Sequence, residues 1–167
     1  MTTFTLLALG HILGHQAPAP PPLDPAIAYL GKIVGEWDAV AHAGKDAFKC
    51  HFKFEWNEDH RGVHSSAVIA MDSPHPMHSY SVMGYDPNAK AAYYVDAHDS
   101  DTLYTGHFYL ENNKLIFRFG NYGKGEKEFV ATEWFTDDDH YNSEIRQATH
   151  PDGPPMIQVE LIRVKVS

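Results

Sequence analysis

From Phe48 to Trp56 the chain reads FKCHFKFEW. Phe48, Cys50, Phe52, Phe54 and Trp56 fall on one alternate register, and Lys49, His51, Lys53 and Glu55 on the other. Successive side chains of a strand point to opposite faces, so this stretch has one apolar face and one wet face. The same alternation recurs along the chain and predicts ten strands: Glu36 to Ala43, Ala47 to Asn57, Val63 to Asp72, Met77 to Tyr85, Ala91 to His98, Thr102 to Glu111, Lys114 to Asn121, Lys127 to Thr136, His140 to Thr149 and Met156 to Val166. Between them lie short segments such as AGKD, EDHRG, SPHP, DPNAK and GKGE, rich in the Gly, Pro, Asn and Asp that hairpin turns require. Ahead of the strands, Asp24 can cap a helix that starts at Pro25. Ile27, Leu30, Val34 and Trp37 form its apolar stripe, and Gly35 is expected to end it.

Strands joined this tightly pair as antiparallel neighbours, because a parallel crossover needs a dozen or more residues. A flat meander would leave its apolar face wet and present two unpaired edges; rolling it into a barrel removes both problems. The expected fold is therefore all-β: a roughly ten-stranded antiparallel up-and-down barrel over residues 23–167, with the short N-terminal helix closing one end. The alternative is a helix-wrapped sheet of the START or polyketide-cyclase kind. That fold needs a long C-terminal helix, whereas the ending MIQVELIRVKV is β-branched and reads as strand.

Residues 1–22 stand apart. Phe4 to Leu13 is a short apolar block followed by a Pro/Ala-rich stretch, the shape of a signal-peptide core without its positively charged start. They are read as a loose tail or the remnant of a signal peptide. The second reading favours an exported or periplasmic protein, the first a cytoplasmic one. No apolar run reaches the roughly 18 residues of a membrane-spanning helix. Thirteen basic against twenty-two acidic residues give a formal charge of -9, which argues against a grip on nucleic acid. The lone Cys50 lies on an apolar register and reads as a core residue.

Three segments, LGKIVGEWDAVAHAG (Leu30 to Gly44), FEWNEDHRG (Phe54 to Gly62) and MGYDPNAKAAYYVDAHDSD (Met83 to Asp101), carry a resemblance. With the strand from Gly106 to Leu115, they resemble an uncharacterised bacterial family marked by a Gly-x-Trp opening and a Gly-Tyr-Asp-Pro hairpin. That family looks related to the calycins, which include lipocalins, fatty-acid-binding proteins and haem-binding nitrobindins. The resemblance spans roughly residues 25–166 and implies a closed barrel with a helix at one end; it implies no reaction. Read physically, Trp37 plugs the barrel floor, and Asp86 with Pro87 builds a type I turn.

A barrel of this size is wider than side chains easily fill, so its interior is the candidate site. The inward candidates for contacting a small hydrophobic or aromatic ligand are Phe52, Phe54, Trp56, Ile69, Met71, Tyr80, Tyr94, Leu103, Tyr109, Phe117, Phe119, Phe135 and Tyr141, with Val82 on the register of Tyr80. The competing expectation is that these rings interlock and leave no space. Most of the twelve histidines fall in turns, in the tail or on wet registers. His78, His98 and His107 share registers with aromatic residues and are the candidates to ligate haem iron or another metal, although no HxH or HExxH pattern supports zinc. Asp96 and Glu133 lie within strands, and either could be a buried carboxyl with a raised pKa acting as a base. Asp137 to Asp139 lacks the spacing of a calcium loop, and GNYGKGE precedes a strand, not the helix of a phosphate loop. The sequence thus favours a non-catalytic carrier, with a haem barrel or an isomerase-type enzyme as rivals and a homodimer left open.

Overall fold

A computed structural model describes residues 23–124 and 127–165. The N-terminal tail, Gly125 and Glu126 of one predicted loop, and the predicted end of the last strand at Val166 lie outside the described residues. One helix, α1 (Pro25–Leu30), precedes β1 (Gly35–Ala43), β2 (Asp46–Trp56), β3 (Gly62–Ile69), β4 (Met77–Asp86), β5 (Ala91–His98), β6 (Leu103–Glu111), β7 (Lys114–Asn121), β8 (Phe129–Asp137), β9 (His140–Gln147) and β10 (Ile157–Arg163). Every strand pairs antiparallel with its sequence neighbours, and β1 closes on β10 with Ala39 opposite Leu161. The result is a closed ten-stranded, calycin-like barrel. The START-like alternative falls, because the C-terminal segment is a strand hydrogen-bonded on both sides, to β1 and β9.

The helix is capped as expected, with the Asp24 carboxylate accepting from the Ala26 N–H at 2.8 Å. It ends earlier than its apolar stripe predicts. Gly31 is the C-cap, and Lys32 and Ile33 donate to Tyr29 and Leu30 in a tightened last turn. The chain must enter β1 within a few residues, and a helix continued to Gly35 could not make that bend. Gly35 instead opens β1 at φ +132°, a conformation that disfavours a side chain. Gly31 also lies directly beneath the Trp56 ring, with no room for a Cβ between them.

Trp37 is fully buried where the helix meets the barrel. Its Nε1 donates to the Ile33 carbonyl at 2.6 Å, and its ring packs against Phe135 and Tyr141 at centroid distances of 6.2 and 6.3 Å. Arg163 covers it from outside, 4.1 Å from ring centroid to guanidinium carbon, while donating to the carbonyls of Val34 and Lys32. The floor plug expected of this residue is therefore present. The Asp86 turn is also present, the carboxylate accepting from the Asn88 N–H at 2.8 Å.

Antiparallel connectivity puts the two ends of the barrel on different footings. The helix end is sealed by apolar side chains of α1 and the floor. The opposite end carries the longer connections, residues 70–76 between β3 and β4 and 148–156 between β9 and β10.

Candidate functional site

The rings do not fill the barrel. Many inward positions hold small side chains: Ala39 and Ala41 on β1, Ser65 and Ala67 on β3, Ser79 and Ser81 on β4, Ala131 on β8 and Ser143 on β9. Facing them are Phe52 and Phe54 of β2, Tyr94 of β5, and Phe117 and Phe119 of β7. Small residues opposite large ones leave a cavity of about 300 Å³ above the Trp37 floor.

Seven of the predicted contact residues line it: Phe52, Phe54, Ile69, Tyr94, Phe117, Phe119 and Tyr141. The other six do not, for identifiable reasons. Trp56 and Phe135 have inward parity but sit at the helix end. Trp56 stacks on His60 at 5.5 Å, and Phe135 joins Trp37 and Tyr141 in the floor. Met71 lies beyond the end of β3, past Ala70 at φ +55°, where alternation stops, and is half exposed. Tyr80 faces outward with 61% of its surface exposed, and Val82 with it. Their strand turns Ser79, Ser81 and Met83 inward instead, so the more polar register is the inner one. Leu103 and Tyr109 also lie on the outer face of β6. Its inner face is Tyr104, Gly106 and Phe108, where Phe108 stacks on Phe117 at 4.9 Å and Tyr104 meets Phe119 at 5.8 Å. Gly106 is required there, because a Cβ would collide with the Arg118 carbonyl and the Phe119 backbone.

Of the three histidines, only His98 lines the cavity. His78 is on the outer surface, bonded to Asp99, and His107 follows the outward register of Tyr109, against whose ring it stacks. Both suggestions of an inward ligand fail on register. His98 Nε2 lies 2.6 Å from Asp96 Oδ2, so its outermost nitrogen is committed to a carboxylate instead of being free for an iron. Among the described residues there is no group of three or more side chains arranged to hold a metal ion.

The polar chemistry of the wall forms two clusters. In the first, Tyr94, Asp96 and His98 share the inner face of β5, and Ser79 and Ser81 stand opposite on β4. Asp96 is buried at 6% exposure; its Oδ1 accepts from Ser79 at 2.6 Å and Ser81 at 2.8 Å, and its Oδ2 pairs with His98. Burial pushes the Asp96 pKa up, but the hydrogen bonds from His98, Ser79 and Ser81 together outweigh it, and the net shift is downward. The bond to Asp96 raises the His98 pKa against the opposing effect of burial. Tyr94 is held well above its ordinary value, by burial first and then by the Asp96 charge.

The second cluster is Glu133 with Tyr141 and Ser143. Tyr141 donates to Oε2 at 2.7 Å and Ser143 to Oε1 at 3.1 Å. Glu133 keeps some accessible surface, but that surface is cavity wall, and protein surrounds the group on all sides. Burial raises its pKa, only partly offset by the two hydroxyl donors. Cys50 also reaches the cavity, with burial pushing its thiol up, as befits an unreactive small wall residue.

Asp96 and Glu133, which the sequence allowed to be buried, both face inward, and their environments drive them in opposite directions: only Glu133 has the raised pKa considered for a base. What sequence reasoning missed were the serines. The signal was available in HSYSVM, where Ser79 and Ser81 alternate, but the rule of placing the more apolar register inside discards it.

No protein-family model matches this chain, and no curated protein matches it at significance. No described helix is long and apolar enough to cross a membrane. The class is set by the barrel itself: a closed, calycin-like barrel with a walled interior cavity.

Proposed function

We propose that this barrel reversibly binds a small hydrophobic or aromatic molecule in its cavity, without covalent chemistry. The observation that carries the reading is the cavity of about 300 Å³, whose walls are mainly phenyl rings and aliphatic side chains with a few oriented hydroxyls and carboxyls. Small-molecule sites have that composition: an apolar body for affinity and a few polar groups for orientation. The ligand would pass at the end opposite α1, between the longer connections.

The test is titration with a hydrophobic fluorophore and a panel of lipids, aromatic compounds and haem. Saturable one-to-one binding is expected, lost in Phe117→Asp, which places a charge on the aromatic wall. Because that variant could fail to fold, Ala67→Leu is the companion. It adds bulk at a wall position and should weaken binding about tenfold while the unfolding midpoint stays close to that of the parent. Absence of saturable binding across the panel overturns the reading. A Soret band on haem titration, lost in His98→Ala, would redirect it to a haem barrel.

A further inference from the structure

The two carboxyl groups of the wall differ in what they have left to offer. A carboxylate presents about four lone-pair positions. Asp96 has spent them: two hydroxyls on Oδ1, the imidazole on Oδ2, and the Tyr94 hydroxyl within hydrogen-bonding reach. Its charge is answered by His98. Glu133 accepts one bond on each oxygen, from Tyr141 and Ser143, and opens on the cavity with the rest of its capacity unused. No lysine, arginine or histidine forms an ion pair with it among the described residues, and the cavity wall contains no lysine or arginine. A buried carboxylate without a counter-charge is costly, and the cost falls away when a cation is brought to it.

We infer that the cavity selects an aromatic molecule bearing a protonated amine, with its ring among Phe52, Phe117 and Phe119 and its ammonium donating to Glu133. This rests on the ligand-binding reading above and names the class of ligand. Several features converge on it. Glu133 stands opposite Leu115 on β7, with Phe117 on the diagonal, so the acceptor and the aromatic wall are adjacent. Ring faces attract an organic cation and have no comparable attraction for an anion. A ligand carboxylate would meet the uncompensated Glu133, whereas a neutral ligand would leave it uncompensated. The formal charge of -9 also raises the local concentration of cations around the molecule.

The groups facing Glu133 are Tyr141 and Ser143 from β9, Leu115 and Phe117 from β7, and, within reach of its charge, Tyr94 from β5 with Asp96 beside it. Beyond them, Tyr29 of α1 acts on Tyr141. Burial favours the protonated form of Glu133 in the empty cavity. An ammonium favours the ionised form, so amine binding releases a proton and strengthens as pH rises through the titration of Glu133 in the empty protein. A neutral ligand has no such dependence.

Calorimetric titration with 2-phenylethylamine, 2-phenylethanol and phenylacetate, run beside the fluorophore, tests this. The amine is expected to bind at least about tenfold more tightly than the alcohol, with the carboxylate weakest. Glu133→Gln should remove the amine's advantage and its pH dependence while changing alcohol affinity less than about twofold. Equal or tighter binding of the alcohol, or of the acid, overturns the amine assignment and leaves the carrier reading standing; so does fluorophore binding with no response to any of the three. An amine preference that survives Glu133→Gln also overturns it. If neither the three compounds nor the fluorophore bind, both readings fall together.

Discussion

Trp37→Ala is expected to destabilise the fold by about 3–5 kcal/mol, the range for deleting a large buried aromatic. That is a large share of the roughly 5–15 kcal/mol that holds a domain folded. The residue is fully buried, and its removal leaves a cavity among Phe135, Tyr141 and the helix. It also strands the Ile33 carbonyl that its Nε1 satisfies, and it uncouples Arg163 from the ring it covers. Those losses fall where the chain passes from α1 into β1, next to the helix's other attachments, the Tyr29 hydroxyl on the Asn113 carbonyl and Gly31 beneath Trp56. Trp134 is the internal control: it lies on the outer face of β8, half-buried, with the Lys114 ammonium 4.6 Å from its ring centroid. An exposed cation–π contact of that kind is worth about 0.5–1 kcal/mol, so Trp134→Ala should move the urea midpoint only slightly. Comparable shifts for the two variants would mean that the floor is not where the fold is held.

The contrast between these tryptophans shows what alternation along the chain can and cannot reveal. The number of strands, their antiparallel order and the closure of the barrel follow from period-two patterning and short turns, because each strand has only two faces and the loops allow only neighbour pairing. Which face is inner is a weaker signal wherever both registers are mixed. On β2 the registers are Phe/Cys/Trp against Lys/His/Glu, and the choice is unambiguous. On β4 the choice lies between Tyr80 with Val82 and Ser79 with Ser81, and hydropathy chooses wrongly. The serines go in because Asp96, one strand away, needs their hydroxyls, and that need is visible only once β4 and β5 are in register. On β6 the inner face includes a glycine, invisible to any apolar count, whose absent side chain makes room for Phe119.

The same logic explains why most of the aromatic wall was legible and the serine donors of the polar clusters were not. A ring on an apolar register is placed by burial alone. A buried carboxylate is placed by its donors, and those come from other strands: Tyr141 and Ser143 for Glu133, Ser79 and Ser81 for Asp96. Only the β5 spacing carried a local hint. Asp96 and His98, two residues apart on one face, are brought to 2.6 Å by strand geometry alone.

Removing that carboxylate is the second large effect. Asp96→Ala orphans two serine hydroxyls and takes the partner from His98, a loss expected to cost about 3 kcal/mol or more. The cost stays toward the lower end because His98 can shed its proton. The pH dependence identifies the cause. The folded pKa of Asp96 lies below its ordinary value, so its contribution is present above about pH 4 and fades as pH falls through the folded value. The folded pKa of His98 lies above its ordinary value, so its contribution is complete below about pH 6.5 and is lost as pH rises through the folded value. The pair therefore stabilises most between about pH 4 and pH 6.5. Glu133 works against the pair inside that window, since its raised pKa makes ionisation oppose folding and its contribution falls as pH rises above the ordinary glutamate value of about 4.3. Urea midpoints of the wild type should peak in mildly acidic solution and fall across neutrality. In Asp96→Ala the His98 part of that fall disappears, and the His98 ring, followed by NMR, titrates at a lower pH than in the wild type. If the His98 titration stays where it was, the imidazole owes its basicity to something other than Asp96, and the coupling drawn along the inner face of β5 is wrong.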